Sequence, residues 1–388
     1  MRSAPYGAFG IDEYKSRFSR ARSVLTENDL SACVMMAPEH LYYFGGYDSW
    51  VGVNSPQALI FTPGTDAPTL ILRDVDVSLA RESSWAEDIR TYNLVADDFP
   101  ALVLDILGEK KVDGGRIAME TQSYALPTAL GFALSSALHP LEIIDATTML
   151  GRLRLIKSPA EMAYMERAAG YAEAGLQAMT QFLRPGITEI ELAAEMEATV
   201  RRSGSDYPAI PTELSSGDRS AGGHATPREK PIEPGDIVHA EFAGVAARYH
   251  ATALQTLSCG KPSSRARELY DLGLESLRAG IAATRVGASV ADVEEASLKP
   301  LRARGLEHAA MMRFGYGIGV AYPPIWLEAL QIARGFDDRL ENGMAFVLHS
   351  CIELPDENLG IIQGGTYVLG DDGLRMLCGA GDCALDIR

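Results

Sequence analysis

The chain has 388 residues, 47% hydrophobic and 22% charged, with 37 Gly and 20 Pro. At about 150 residues per domain it holds two or three domains, and disordered, collagenous and low-complexity classes are excluded. Its 35 Lys and Arg against 52 Asp and Glu leave a net charge of −17, a field that repels phosphate backbones, so neither nucleic acid nor an anionic membrane is an expected partner.

In chain order, residues 1–14 lack the apolar core of a signal peptide, and no run of roughly 18 apolar residues suggests a membrane span. A helical pattern over 14–27 is followed by apolar residues 32–36, an aromatic loop over 42–50, and a strand-like run over 58–62 closed by Pro63-Gly64. Short apolar runs follow at 69–72 and 116–119. Strands alternating with helices predict an α/β layer domain over residues 1–155.

Ser158-Pro159-Ala160-Glu161 is a capping box with Pro at the first helical position, which predicts a long helix over 159–182. Arg184-Pro185-Gly186-Ile187-Thr188 breaks it, and Thr188 with Glu191 forms a second box opening a helix to about Arg202. Arg285-Val286-Gly287-Ala288-Ser289, with Ser289 and Asp292, repeats the break and cap before a helix to Gly305. Two helix-break-helix units, each followed by strand-rich sequence, predict a duplicated α+β domain over 156–388. Strands are expected over 237–244, 249–259, 345–353, 360–363 and 366–369, the first with Ile237, His239 and Glu241 on one face. The cysteines Cys33, Cys259, Cys351, Cys378 and Cys383 are odd in number and scattered, and they read as reduced thiols of a cytoplasmic protein.

Glu241 is a carboxylate in the middle of an apolar strand, so it is either neutralised by a partner such as Arg248 or poised for reaction. His224 lies in the small-residue loop Ser220-Ala221-Gly222-Gly223-His224-Ala225, where an imidazole suits proton transfer or is simply solvent-exposed. Residues 314–328 alternate glycines and then gather aromatics and prolines; the spacing is not that of a dinucleotide loop and reads as an aromatic pocket wall or a Gly-rich strand. His349 on an apolar strand reads first as a core histidine, and Tyr47, Asp48 and Trp50 as a loop cluster covering the core. No GxSxG, HExxH, P-loop or EF-hand pattern occurs.

Taken together these residues resemble the creatinase and aminopeptidase P superfamily, whose catalytic domain is the pita-bread fold. The likeness spans nearly the whole chain. Metallopeptidases of that superfamily hold two metals with two Asp, one His and two Glu; the positions matched to them here are Glu241, Thr252, Tyr316, His349 and Gln363. With so few hard oxygen ligands a dinuclear metal site is not expected, and no cofactor is implied. Among the metal-free branches the chain is most similar to ectoine hydrolase, then creatinase. That likeness rests on Asp206-Tyr207-Pro208-Ala209-Ile210, Ser216-Gly217 leading to His224, Glu241 with Ala243-Gly244, and Arg248-Tyr249-His250. It continues through Gly260-Lys261-Pro262, Tyr322-Pro323-Pro324 with Trp326 and Glu328, and Gly46-Tyr47-Asp48 with Trp50.

The resemblance implies a hydrolase of a non-peptide C–N bond in a small, carboxylate-bearing nitrogen compound such as a cyclic amidine, guanidino acid or amide. Glu241 attacks the electrophilic carbon or acts as base, and His224 carries protons. Tyr47, Trp50, His250, Tyr316, Tyr322, Trp326, Glu328, His349 and Gln363 are the substrate-binding candidates. A homodimer is implied, with the N-terminal domain of one subunit near the pocket of the other. Gln363 in place of a glutamate and Gln255 in place of an arginine point to a related substrate, or to ectoine with altered anchoring. A non-catalytic binding protein of the same fold, an amidinohydrolase of the creatinase type and a lyase acting on a zwitterionic osmolyte are the alternatives.

Overall fold

The computed structural model describes residues 4–381 and 383–388. Its internal contacts divide the chain into Met1–Arg154 and Leu155–Arg388.

The first unit runs α1 (Ile11–Glu27), β1 (Ala32–Met35), α2 (Pro38–Gly45), β2 (Ala58–Phe61), β3 (Thr69–Arg73), α3 (Val77–Ser83), β4 (Asp88–Tyr92), α4 (Phe99–Glu109), β5 (Arg116–Met119), α5 (Thr128–Ala137), β6 (Glu142–Asp145) and α6 (Thr147–Arg152). Its mixed sheet has the order β4-β3-β2-β1-β5-β6. The central strand β1 is buried along its whole length, as expected of a strand covered on both faces. The aromatic stretch expected as a loop begins inside α2, which Gly46 ends in the left-handed conformation at φ 73°. Buried Glu120 accepts the amides of Met36 and Ala37 at 2.6 and 2.7 Å and contacts His40 Nδ1. This ties the start of α2 to the end of β5.

The second unit runs α7 (Pro159–Phe182), α8 (Glu189–Arg202), β7 (Glu213–Ser216), β8 (Ile237–Ala246), β9 (Tyr249–Ser258), α9 (Ser264–Ala283), α10 (Val290–Ala303), β10 (Gly315–Tyr322), β11 (Ile325–Ile332), β12 (Ala345–Leu354), β13 (Leu359–Gly370), β14 (Gly373–Gly379) and β15 (Asp386–Ile387). One sheet of order β11-β10-β12-β13-β9-β8-β7 joins the two halves; α7 packs on β8 and β9, and α9 on β12 and β13. The capping boxes of α7 and α8 both form. At the third break Ser289 makes no side-chain cap; instead the Val290 amide donates to the Asp338 carbonyl at 3.0 Å. The runs at 360–363 and 366–369 are one strand, β13, with Gly364 at φ 153° between them.

This packing decides which side chains face the helices. On β8, Val238, Ala240 and Phe242 join the core beneath α7, so His239, Glu241 and Ala243 project from the opposite face. Gly244 lets the α7 backbone approach; a Cβ there would lie 2.1 Å from the Ala168 carbonyl. Among the described residues no helix is long and apolar enough to cross a membrane, and the five cysteines are unpaired.

Candidate functional site

Glu241 is only 8% exposed. Tyr316 on β10 donates its phenol proton to Glu241 Oε1 at 2.8 Å, and Trp326 Nε1 on β11 donates to the Tyr316 oxygen at 3.0 Å. Burial pushes the Glu241 carboxyl up to about 7, against a smaller lowering by the Tyr316 hydrogen bond. The ion pair with Arg248 that the sequence left open does not form: the Arg248 guanidinium lies over the Tyr207 ring at 4.2 Å and faces Tyr322 at 5.5 Å. Glu241 thus meets a neutral donor rather than a cation, and its charge is not cancelled.

Reading the sequence did not single out Glu213, which stands directly opposite Glu241 in the β7–β8 ladder. Burial and the neighbouring Glu241 charge push it up to about 8. Cys351 on β12 lies within electrostatic reach of both carboxyls and of Glu353, to which its thiol donates at 3.8 Å. Glu353, also missed, accepts the Gly223 amide and interacts with the His224 charge. His224 is exposed, on a loop fixed at its base by buried Glu189. That carboxylate accepts the Ser216 amide and hydroxyl at 2.8 Å each and the Arg228 amide at 2.9 Å, and pairs with Arg219. His224 therefore sits at the rim of the Glu353 and Cys351 group, and through Cys351 that group adjoins Glu241 and Glu213.

His349 is buried, and its ring lies 5.9 Å from that of Tyr316. Its Nδ1 has no partner. Burial, then Arg313 and His224, lower it to about 4, so it is neutral. The other expected pocket residues divide. Tyr316 and Trp326 build the hydrogen-bonded wall against Glu241, and Tyr322 is buried at the end of β10. His250 is a structural latch: its Nε2 accepts the Ala209 amide at 2.9 Å and its Nδ1 bonds the Arg248 carbonyl at 2.9 Å, so both ring nitrogens are committed. Glu328 is held in a fully buried pair with Lys157 at 2.6 Å, which occupies its charge. Gln363 donates to the Tyr270 carbonyl of α9 at 2.9 Å, so its amide is turned into the helical layer. In the N-terminal unit, buried Tyr47 accepts a hydrogen bond from Gln57 at 3.0 Å, whereas Trp50 is 53% exposed.

The register also corrects the metal-position match. Across from His349 on β13 stands Gly364, with Gln363 opposite Ser350. A Cβ at Gly364 would lie 2.1 Å from the Leu348 carbonyl, so this backbone has no room for a glutamate side chain there. The face that would hold a metal pair presents Glu241, Thr252, the Tyr316 phenol, neutral His349 and Gly364. The Tyr316 hydrogen points at Glu241 Oε1, and burial holds the phenol's ionisation well above its usual range. Among the described residues no group of three His, Cys, Asp or Glu side chains could hold a metal ion. These residues do not fit a dinuclear centre.

Comparison with known proteins agrees with the architecture. Residues 17–156 match the creatinase/prolidase N-terminal domain, and residues 163–375 match metallopeptidase family M24. The ectoine hydrolase of Halomonas elongata is 27% identical, over 94% of this chain and 96% of that protein. The Xaa-Pro dipeptidase of Pyrococcus furiosus is 23% identical, over 94% and 97%. The X-Pro aminopeptidase structure from Thermotoga maritima superposes with a TM-score of 0.83 at 22% identity, covering 96% of this chain and 99% of that one. The fold is therefore a creatinase-like α/β domain followed by a pita-bread domain, and the chain belongs to metallopeptidase family M24.

Proposed function

We propose that this member of a hydrolase family cleaves a non-peptide C–N bond in a small, carboxylate-bearing nitrogen compound, without a metal ion. The observation that carries this reading is Glu241: a buried carboxyl whose donor is the Tyr316 phenol and which no Lys or Arg neutralises. A carboxyl pushed up to about 7 is ionised in an appreciable fraction near neutral pH and is drawn to a cationic, electrophilic carbon such as that of an amidinium.

In this reading the ionised Glu241 adds to that carbon, the C–N bond breaks as a proton reaches the leaving nitrogen, and water releases the product. His224, at the rim, exchanges protons between the site and solvent. Tyr316 and Trp326 hold the attacking oxygen in place. The ectoine hydrolase relative supports a cyclic amidine as the first compound to try. The dipeptidase relatives favour a peptide bond instead, but a two-metal peptide hydrolysis calls for the carboxylates that Thr252 and Gly364 cannot supply.

The test is a screen of ectoine, other cyclic amidines, guanidino acids and N-acyl diamino acids for ring opening or for ammonia or urea release, with Xaa-Pro dipeptides alongside. Turnover in the first group, lost in Glu241→Gln, supports the reading. Turnover of dipeptides alone overturns it.

A further inference from the structure

Glu213 and Glu241 are directly opposed in an antiparallel ladder. Such residues project from the same face with Cβ atoms about 5 Å apart, so the two carboxyl groups stand side by side. One oxygen of Glu241 is taken by Tyr316. The Glu213 carboxyl makes no hydrogen bond to any described residue, and it is only partly buried, so it is free to meet a bound molecule. The groups facing the pair are Tyr316 from β10, and Cys351 and beyond it Glu353 from β12. His349 and His224 lie further out, and no Lys or Arg acts on either carboxyl. Buried His349, beside the Tyr316 ring, also has an Nδ1 with no partner.

We propose that Glu213 is a second catalytic carboxyl, the group that hands its proton to the departing nitrogen. This rests on the reading of Glu241 as the attacking group. Two carboxyls this close, with no cation between them, do not both ionise, so one proton stays on the pair. The Glu241 oxygen forms a bond to the amidine carbon; the C–N bond then breaks, its electron pair staying on nitrogen, which takes the Glu213 proton. Water adds to the resulting imidoyl carbon and gives one proton to the Glu213 carboxylate; the bond from carbon to the Glu241 oxygen then breaks, its electron pair staying on that oxygen, and the remaining hydroxyl proton passes to the released amine, leaving an amide. One water is consumed and both side chains return to their starting states. The upward displacement of both groups, to about 8 for Glu213 and about 7 for Glu241, agrees with a pair carrying one proton at neutral pH.

Two arms test this. In full-length protein labelled with carboxyl-13C glutamate, the resonances lost in Glu213→Gln and Glu241→Gln are followed against pH. The expected result is that Glu241→Gln lowers the Glu213 midpoint by about one pH unit or more, because the Glu241 charge is what raises it; an unmoved Glu213 midpoint overturns the pairing. This arm needs no substrate, so it stands apart from the functional reading, whose failure shows as an empty screen. In the second arm, with the substrate that screen yields, Glu213→Gln lowers kcat about 100-fold and removes the alkaline limb of its pH profile, while Glu213→Asp restores part of both. A kcat within about threefold of wild type with the alkaline limb intact overturns the assignment.

Discussion

Glu241→Gln keeps the shape of the side chain and an oxygen that can accept the Tyr316 proton, while removing the charge. The carboxyl stands near 7 in the folded protein against an ordinary value of about 4.3 in an unfolded chain. Because the folded value is raised, its contribution is intact below the unfolded value and is lost as pH rises toward 7. Between about pH 5.5 and the folded midpoint the loss is about 1.5 pH units, or roughly 2 kcal/mol, and it stays constant above. Glu241→Gln should therefore stabilise the protein by about 2 kcal/mol more at about pH 8.5 than at about pH 5.5. Thermal unfolding of both proteins at the two pH values reads this as a Tm gap that widens on the alkaline side, by several degrees for a unit of this size. A gap that is equal at both values, or wider in acid, would refute the claim that Glu241 is buried without a neutralising cation.

Other substitutions probe the framework. Tyr316→Phe removes the one hydrogen bond that lowers the Glu241 carboxyl, so the acid limb of the pH–rate profile should move to higher pH; a limb that stays in place separates the two groups. Lys157→Met strands the Glu328 charge in a fully buried site and should cost about 3–5 kcal/mol in denaturant unfolding, whereas replacing both partners with Met should recover most of that loss. Glu189→Gln weakens the charge-assisted contacts to Arg219 and the loop amides. Proteolysis within residues 217–228 should then be faster, with little change in the overall unfolding midpoint.

The signals legible in the sequence were local ones. The capping boxes at Ser158 and Thr188 announced α7 and α8 because their partners lie three residues away. The alternation around Glu241 placed it on the face away from Phe242 for the same reason, since strand period needs no knowledge of neighbours. Glu213 was not legible: β7 has four residues, too short for a pattern, and only its register against β8 gives the carboxyl its meaning. Glu353 likewise gained its role from a distant loop, through the Gly223 amide. Gln363 misled because two glycines follow it, and whether position 363 or 364 faces His349 depends on pairing with β12; a one-residue step turns a side chain to the other face. His250 was reactive in type but spent in place, both nitrogens taken by backbone groups.

The proposed reading is that buried Glu241, with no cation to neutralise it, does the work elsewhere given to metal ions. It is tested most directly by exhaustive dialysis against a strong chelator, followed by turnover of the substrate the screen identifies. Unchanged kcat in the metal-stripped protein, with no gain on adding manganese, cobalt or zinc, is the predicted result. Loss of turnover that one of those ions restores would contradict it.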